Sequence, residues 1–246
     1  MKRLVRFAVF MLVNLVLFGA VAALMYRSGL FKIAHVQLIA SPDSSGQMMF
    51  DEYRESLERR LAKIKGVDIW EADVGGIAAH AESLPWVRKV SVRRIFPSTI
   101  RVEVEPKAIA AVIATDKGRL LPLSNEADLL PPLPATKFPD VPVIRDRKIF
   151  KDEALRKKTV GILRELPDKG LMGRANIAEI SADQGEEFWL SLVEDNLKVK
   201  IGSTHVPLRA ARVEKVLEYL RSNNMQARVI DADFSKKVVV KLRKDR

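Results

Sequence analysis

Residues 7–26 form an almost entirely apolar stretch in which Asn14 is the only strongly polar side chain. A helix rises about 1.5 Å per residue, so this stretch covers roughly 30 Å, the hydrocarbon thickness of a bilayer. A helix also satisfies its own backbone hydrogen bonds in lipid. The stretch therefore predicts a single transmembrane helix.

The basic residues Lys2, Arg3 and Arg6 precede this stretch. Basic residues beside a first membrane span are retained on the cytoplasmic side. Residues 1–6 are therefore expected in the cytoplasm, and the chain from Arg27 onward is expected to be exported.

A cleaved signal peptide is the alternative, because Ala20, Val21 and Ala22 offer an A-x-A-like cleavage site behind the basic leader. The apolar sequence nevertheless continues through Met25, whereas the apolar region of a signal peptide usually has about 7–15 residues. The length of the run favours a retained anchor.

The chain has no cysteine and a formal net charge of +11. The lack of cysteine excludes thiolate metal sites and cysteine nucleophiles, and it is compatible with an oxidising cell envelope. The basic residues are spread along the chain with acidic residues between them, so binding to nucleic acid is not expected. The positive excess suits anionic lipid or an acidic partner.

The first half of the exported chain has a mixed pattern. Residues 32–40 read as a strand, and apolar residues at helical spacing from Tyr53 predict an amphipathic helix closed by Gly66. Asp73 begins a second helix, which Pro85 ends because a proline disfavours helical backbone in the residue before it.

Residues 86–106 predict a hairpin with one apolar face, turning at Phe96. Its alternating apolar residues are Val90, Val92, Ile100, Val102 and Val104. The order is thus strand, helix, helix, strand, strand, and the two helices are expected to cover one face of a three-stranded sheet.

The second half reads as strands with flanking helices. Short apolar runs separated by turn residues predict strands at 108–115, 119–123, 128–130, 177–181, 188–193, 197–201, 228–234 and 236–243. Apolar residues at helical spacing predict helices around 155–166 and 213–220. Residues 194–196 are expected to form a hairpin turn. The predicted fold class is α+β.

These patterns carry a resemblance. The order βααββ directly after a membrane span resembles a POTRA domain, and LPWVRKVSVRRIFPSTIRVEVEPKAIA resembles the hairpin of the bacterial division family FtsQ, called DivIB in Gram-positive cells. GRLLPLSNEADLLPPL, FWLSLVEDNLKVKIG and the final segment are similar to the second, β-rich domain of that family, in the same order. One departure is that residues 125–128 stand where an Asp-x-x-Gly turn is usual.

The resemblance implies a POTRA domain at 31–106 and an FtsQ-type β domain at 107–246 with a C-terminal edge strand. It implies a non-enzymatic divisome scaffold of the cell inner membrane, single-pass, with its bulk in the periplasm and located at the division septum. The implied partners are FtsB-like and FtsL-like single-span division proteins and other divisome proteins, with no cofactor. A POTRA-bearing export or outer-membrane assembly factor is the alternative.

The final strand is the candidate partner site. An unpaired strand edge is a template for an added strand, and its lysines either prevent promiscuous pairing or select an acidic partner. The resemblance places Phe234 where an aromatic packs on FtsB, and Asp233 where a basic residue is expected. The candidate residues are Phe234, Lys236, Lys237, Val238, Val239, Val240, Lys241 and Leu242. The sequence leaves open whether the backbone N–H of Val239 or of Val240 points outward.

A basic cluster accompanies the predicted hairpin: Arg88, Lys89, Arg93 and Arg94. It is either a solvated sheet face or a docking surface for an acidic partner or lipid headgroups. Reversing the charges of Arg93 and Arg94 is expected to leave folding intact.

Catalytic motifs are not recognisable in the sequence. His35, His80 and His205 are too far apart to spell a metal motif, and no P-loop or nucleophile elbow is present. Two acidic pairs, 186–187 and 231–233, leave an anchored hydrolase acting on a sugar polymer as a third hypothesis.

Overall fold

The computed structural model describes residues 2–41, 46–116, 118–134, 137, 139–185, 187–194 and 197–243. The chain divides into two compact units, Met1–Pro106 and Lys107–Arg246. Its first element is helix α1, Lys2–Arg27. Within α1, the 19 residues Val9–Arg27 have a mean hydropathy of 2.3, so this segment is long and apolar enough to cross a membrane. None of the segment is buried against the rest of the chain.

The rest of the first unit has the predicted order strand, helix, helix, strand, strand. Its elements are β1 His35–Ala40, α2 Gln47–Leu61, α3 Val74–Glu82, β2 Val87–Ile95 and β3 Thr99–Pro106. The polar residues 43–46 are expected to form a loop, and of these, 43–45 lie outside the described residues. A short 3-10 turn, Ala62–Ile64, follows α2 before Gly66, whose φ of +85° lies in the left-handed region that glycine favours.

The residues that predict the two helices of this unit, the capping residue of α3 and the apolar face of α2, have the expected roles. The Asp73 side chain caps α3 by accepting a hydrogen bond of 2.8 Å from the Gly76 N–H. The apolar face of α2 buries Phe50 and Leu57. Together the two helices supply the cover for a small sheet.

Strand β3 is central in this sheet, parallel to β1 and antiparallel to β2. Its apolar residues Ile100, Val102 and Val104 are fully buried. Trp86, also buried, stacks on Tyr53 with ring centroids 6.0 Å apart. The core of the first unit lies between this sheet and the helices.

The second unit is an eight-stranded mixed sheet with helices, in agreement with the predicted α+β class. Its elements are β4 Ile109–Ala114, β5 Leu120–Ser124, β6 Val143–Ile144, α4 Arg147–Lys151, α5 Glu153–Glu165, β7 Ile177–Ala182, β8 Phe188–Leu192, β9 Lys198–Lys200, α6 Val206–Ser222, β10 Ala227–Asp231 and β11 Val239–Leu242. Across the sheet the strand order is β11-β10-β9-β8-β7-β6-β4-β5.

One row of apolar side chains crosses all eight strands in register: Val240, Ile230, Val199, Leu190, Ile180, Ile144, Ile113 and Leu121. The six inner members are fully buried, and the two end members are partly exposed. Apolar residues of α5 and α6 belong to the same core. This row fixes the register of the sheet, since a shift by one residue would turn a strand's apolar side chains to the other face.

Three local details differ from the sequence prediction or lie partly outside the described residues. Residues 128–130 do not form a strand but make one isolated bridge, Leu123 to Leu129. Strand β6 and helix α4 are not predicted, because two and five residues are too few to show a period. The turn expected at 194–196 falls partly outside the described residues.

Candidate functional site

The C-terminal strand β11 lies at one end of the eight-stranded sheet and pairs only with β10 among the strands that the structure describes. The opposite end is different. There the chain returns along β5, because the Leu130 N–H donates to the Pro122 carbonyl and the Ser124 N–H donates to the Asp128 carbonyl, both at 2.9 Å. The outer side of β11 is thus the more open edge of this sheet.

Two hydrogen bonds fix which backbone groups of β11 point outward. The Arg243 N–H donates to the Gln226 carbonyl at 2.8 Å. Backbone groups alternate in direction along a strand, so the N–H groups of Lys241 and Val239, two and four residues earlier, also point towards β10. The Ala232 N–H donates to the Lys200 carbonyl of β9 at 2.9 Å. The backbone N–H of Ile230, two residues earlier, therefore also points towards β9, so Ile230 and its cross-strand partner Val240 do not exchange backbone hydrogen bonds.

The backbone N–H and C=O groups of Val240 and Leu242 therefore point away from the sheet. They form a short row of unpaired donors and acceptors among the described residues, the geometry that accepts an added strand. This settles the parity that the sequence leaves open.

The side chains of β11 divide between the two sheet faces. Val238 and Val240 pack partly on the core. Val239 lies on the other face, opposite Asp231, and Lys241 and Leu242 are exposed. One face of the strand therefore packs partly on the core, and its last two residues are exposed to solvent.

Phe234 lies in the connection between β10 and β11 with 40% of its surface exposed. The Lys237 ammonium lies 5.1 Å from its ring centroid, a cation–π contact. Arg212 of α6 holds the connection by donating to the Ser235 carbonyl at 2.8 Å. An exposed aromatic ring is therefore held next to the open edge.

The edge carries the exposed cations Lys236, Lys237 and Lys241. None of the three has an acidic partner within the described part of the chain. Their charge is available to an acidic segment that lies along β11.

Asp233 does not contribute a free charge to this edge. Its carboxylate pairs with Arg209 at 2.6 Å and with Lys200 at 3.8 Å. Lys200 also pairs with Glu187, whose hydrogen bond is the main reason that the pKa of Lys200 is raised. The acidic residue at the position where the family resemblance predicts a basic one is thus neutralised inside its own domain.

The basic cluster of the first unit does not form one surface. Alternation along β2 puts Arg93 on the open face of the sheet and Arg94 on the helix side. Arg94 donates to the carbonyls of Ile69 at 2.8 Å and Ala72 at 2.7 Å. The prediction that reversing Arg93 and Arg94 leaves folding intact stays a prediction for Arg93, whereas for Arg94 these bonds to the loop before α3 lead us to expect a loss of stability.

The other two members also differ from each other. Arg88 forms an ion pair with Glu105, whereas Lys89 is exposed. Lys89 and Arg93 are the members of the predicted cluster that are left for a partner on the open face.

The histidines lie on separate elements: His35 in β1, His80 in α3 and His205 directly before α6. Within the described ranges there is no group of three His, Asp or Glu side chains that could hold a metal ion. In the first acidic pair, Glu186 lies outside the described residues. In the second, Asp233 forms an ion pair with Arg209.

Two family models match the chain. Residues 53–105 match the POTRA domain, FtsQ-type, and residues 111–233 match the C-terminal domain of the cell division protein FtsQ/DivIB. The second match covers half of the chain and ends at Asp233, within the connection between β10 and β11.

Curated relatives carry the same description, "Cell division protein FtsQ". The protein of Geobacter sp. strain M21 is 28% identical over 72% of this chain and 66% of its own length. The protein of Geotalea daltonii is 27% identical over 64% and 59%, and that of Syntrophotalea carbinolica is 22% identical over 72% and 64%. The matched part thus spans about three fifths to two thirds of these relatives. The two domain matches, in this order after an apolar helix, show that the chain belongs to the FtsQ/DivIB family of cell-division proteins.

Proposed function

We propose that this protein is a non-enzymatic scaffold of the divisome that binds FtsB-like and FtsL-like single-span proteins by strand addition at β11. The observation that carries the proposal is the open edge, where the backbone groups of Val240 and Leu242 point away from the sheet. Family membership supports the role in division. A POTRA-bearing export or outer-membrane assembly factor is not favoured, because both matching family models are of the FtsQ type.

The proposed topology places residues 1–6 in the cytoplasm and the two domains, 31–106 and 107–246, in the periplasm. Helix α1 supports it by its length and hydropathy, and the basic leader supports the orientation. The protein then presents β11 on the side where single-span partners expose their extracytoplasmic segments, at the division septum.

In the proposed complex a partner strand pairs with the outward groups of Val240 and Leu242. Lys236, Lys237 and Lys241 attract an acidic partner segment, and Phe234 offers an exposed ring for an apolar contact. The POTRA domain is proposed to contact upstream division proteins through its open face, with Lys89 and Arg93 as the exposed cations.

Two adjacent proline substitutions test the edge. Val240→Pro removes an outward N–H, so the fold should persist while the affinity for an FtsB-like protein falls at least about tenfold, or about 1.4 kcal/mol. Val239→Pro removes an inward N–H and should break the pairing of β10 with β11. Both are measured by pull-down with the FtsB-like protein and by thermal unfolding.

Phe234→Ala removes a side chain and leaves the outward backbone groups of Val240 and Leu242 in place. It should weaken binding without lowering the melting temperature. Unchanged binding by folded Val240→Pro protein would rule out strand addition at this edge. Lost binding by Phe234→Ala alone would instead indicate a side-chain interface.

A further inference from the structure

The first unit exposes a cluster of apolar side chains at the end of its sheet where the β2–β3 turn lies. Trp70 is 61% exposed and Phe96 is 48% exposed, with their ring centroids 4.4 Å apart. Phe31 contacts Trp70 at a centroid distance of 6.4 Å, and Leu30 and Val67 are also exposed. We call these five residues the aromatic patch.

The backbone beneath the aromatic patch is held by hydrogen bonds from three separate loops. The Ile69 N–H donates to the Phe31 carbonyl at 2.8 Å, and the Ile33 N–H donates to the Val67 carbonyl at 2.9 Å. The β2–β3 turn is attached through the Ala34 N–H, which donates to the Ser98 carbonyl at 2.9 Å. Ile33 and Ile69 are buried below. The exposed rings are therefore carried by loops whose backbones are hydrogen-bonded to one another.

The chain itself limits how far this patch can be from a membrane. Helix α1 ends at Arg27, only four residues before Phe31. Even a fully extended chain spans at most about 14 Å over that separation. The connection is not extended, since the Lys32 N–H donates to the Gly29 carbonyl at 2.9 Å. The headgroup layer on each side of a bilayer is roughly 5–8 Å thick, so when α1 spans the membrane, Phe31 lies within that layer or just outside it.

The composition of this end of the domain fits the interface between lipid and water. Aromatic rings are enriched at the headgroup level, where an amphipathic indole lies between apolar and hydrated surroundings. The exposed cations Arg27, Lys32 and Lys65 lie in the same segments, and lysine or arginine side chains commonly extend from apolar surface towards phosphate groups.

We propose that the aromatic patch inserts into the headgroup region of the membrane that α1 spans, on the exported side, so that the POTRA domain lies against the lipid surface. The occupant of the patch is lipid, and Trp70, Phe96 and Leu30 are the inserting side chains. This inference rests on the proposed function only in requiring that α1 remains in the membrane as a span. Its consequence is a fixed orientation of the POTRA domain, with the β2–β3 turn towards the membrane.

The test uses the full chain reconstituted into phosphatidylcholine vesicles with brominated acyl chains, which quench tryptophan on contact. Trp86 is buried and Trp189 lies in the second unit, so the difference between the chain and its Trp70→Phe variant isolates Trp70. The proposal predicts strong quenching of the Trp70 signal, with a blue-shifted emission. Phe96→Ser combined with Leu30→Ser should reduce that quenching.

A matched control moves the tryptophan to the other end of the same sheet. Ile39 is 40% exposed in β1, and its register places it away from the β2–β3 turn. In the Trp70→Phe background, Ile39→Trp should add a signal that brominated lipid does not quench. Equal quenching of the two positions would overturn the proposal.

Extraction of the vesicles with alkaline carbonate separates the possible failures. If the chain stays in the membrane while Trp70 is not quenched, the aromatic patch does not bind lipid although the anchor is correct. If the chain is extracted, the anchor fails and the proposal fails with it. Shielding of Trp70 that requires an added division protein would identify a protein interface and would also overturn the proposal.

Discussion

Single residues carry opposite roles even where they are adjacent in sequence, as Arg93 and Arg94 illustrate. Arg93 is exposed on the open face of the POTRA sheet, whereas Arg94 bonds the carbonyls of Ile69 and Ala72. Alternation in a strand predicts that the two lie on different faces, so grouping them by adjacency misleads. The two carbonyls that Arg94 reaches are more than 20 residues away and carry no sequence signal.

Arg94→Glu should lower the free energy of unfolding by about 1.5–3 kcal/mol, because charge-assisted hydrogen bonds to two carbonyls are lost. Arg93→Glu is the control and should change it by less than about 0.5 kcal/mol, as expected for an exposed site. Urea unfolding of the full chain in detergent, in a Trp70→Phe and Trp189→Phe background in which the emission reports buried Trp86, measures both. Equal stability of the two variants would contradict the structural role of Arg94.

Gly202 is a second residue whose role depends on its environment. It has a φ of +68°, and a Cβ added there would lie 2.2 Å from an Arg209 nitrogen and 2.3 Å from an Asp233 oxygen. Gly202→Ala should therefore destabilise the second unit by about 1–3 kcal/mol. Gly161→Ala is the control: it lies inside α5 with nothing within 4 Å of the added Cβ, and it should stabilise by about 0.5–1 kcal/mol. Thermal unfolding decides, and similar shifts for both would contradict the account.

At the scale of elements, the hairpin of the first unit distinguishes a central strand from an outer one. Val102 in β3 is fully buried between two neighbours, whereas Val92 in β2 is partly exposed. Val102→Asp should cost several kcal/mol, because an unpaired carboxylate is buried there, and Val92→Asp should cost clearly less. Expression level and urea midpoint measure the difference. Equal losses would show that Val92 is as enclosed as Val102.

Elements with a long period could be predicted from the sequence, and short ones could not. Asp73, Pro85 and the alternation in 86–106 locate α3, β2 and β3. Strand β6 has two residues and depends on its neighbours β4 and β7 for its pairing. The return of residues 128–130 along β5 likewise depends on tertiary contacts, since their apolar pattern alone resembles a strand.

At the scale of the whole molecule, the topology is the first matter to test. Alkaline phosphatase, which is active only outside the cytoplasm, should be active when fused at Gly29 and when fused at the C-terminus, because the basic residues precede α1. A matched fusion before residue 7 should be inactive. An inactive C-terminal fusion would contradict export of the domains, and a mature chain beginning near Ala23 would show a cleaved signal peptide.

The open edge also belongs to the whole molecule, because it depends on the strand order of the entire sheet. The sequence indicates a final strand with lysines, but it does not give the pairing of β10 with β9 that fixes which N–H groups point outward. Nor does it show that Asp233 is held by Arg209. Both follow from contacts between segments that are distant in sequence.

Amide hydrogen exchange along β11, with and without an FtsB-like partner, tests strand addition most directly. We expect the Val240 and Leu242 amides to exchange rapidly in the free protein and slowly in the complex. The Val239 and Lys241 amides already face β10 and should change little. A saturated complex in which the Val240 and Leu242 amides still exchange as in the free protein would contradict strand addition at this edge.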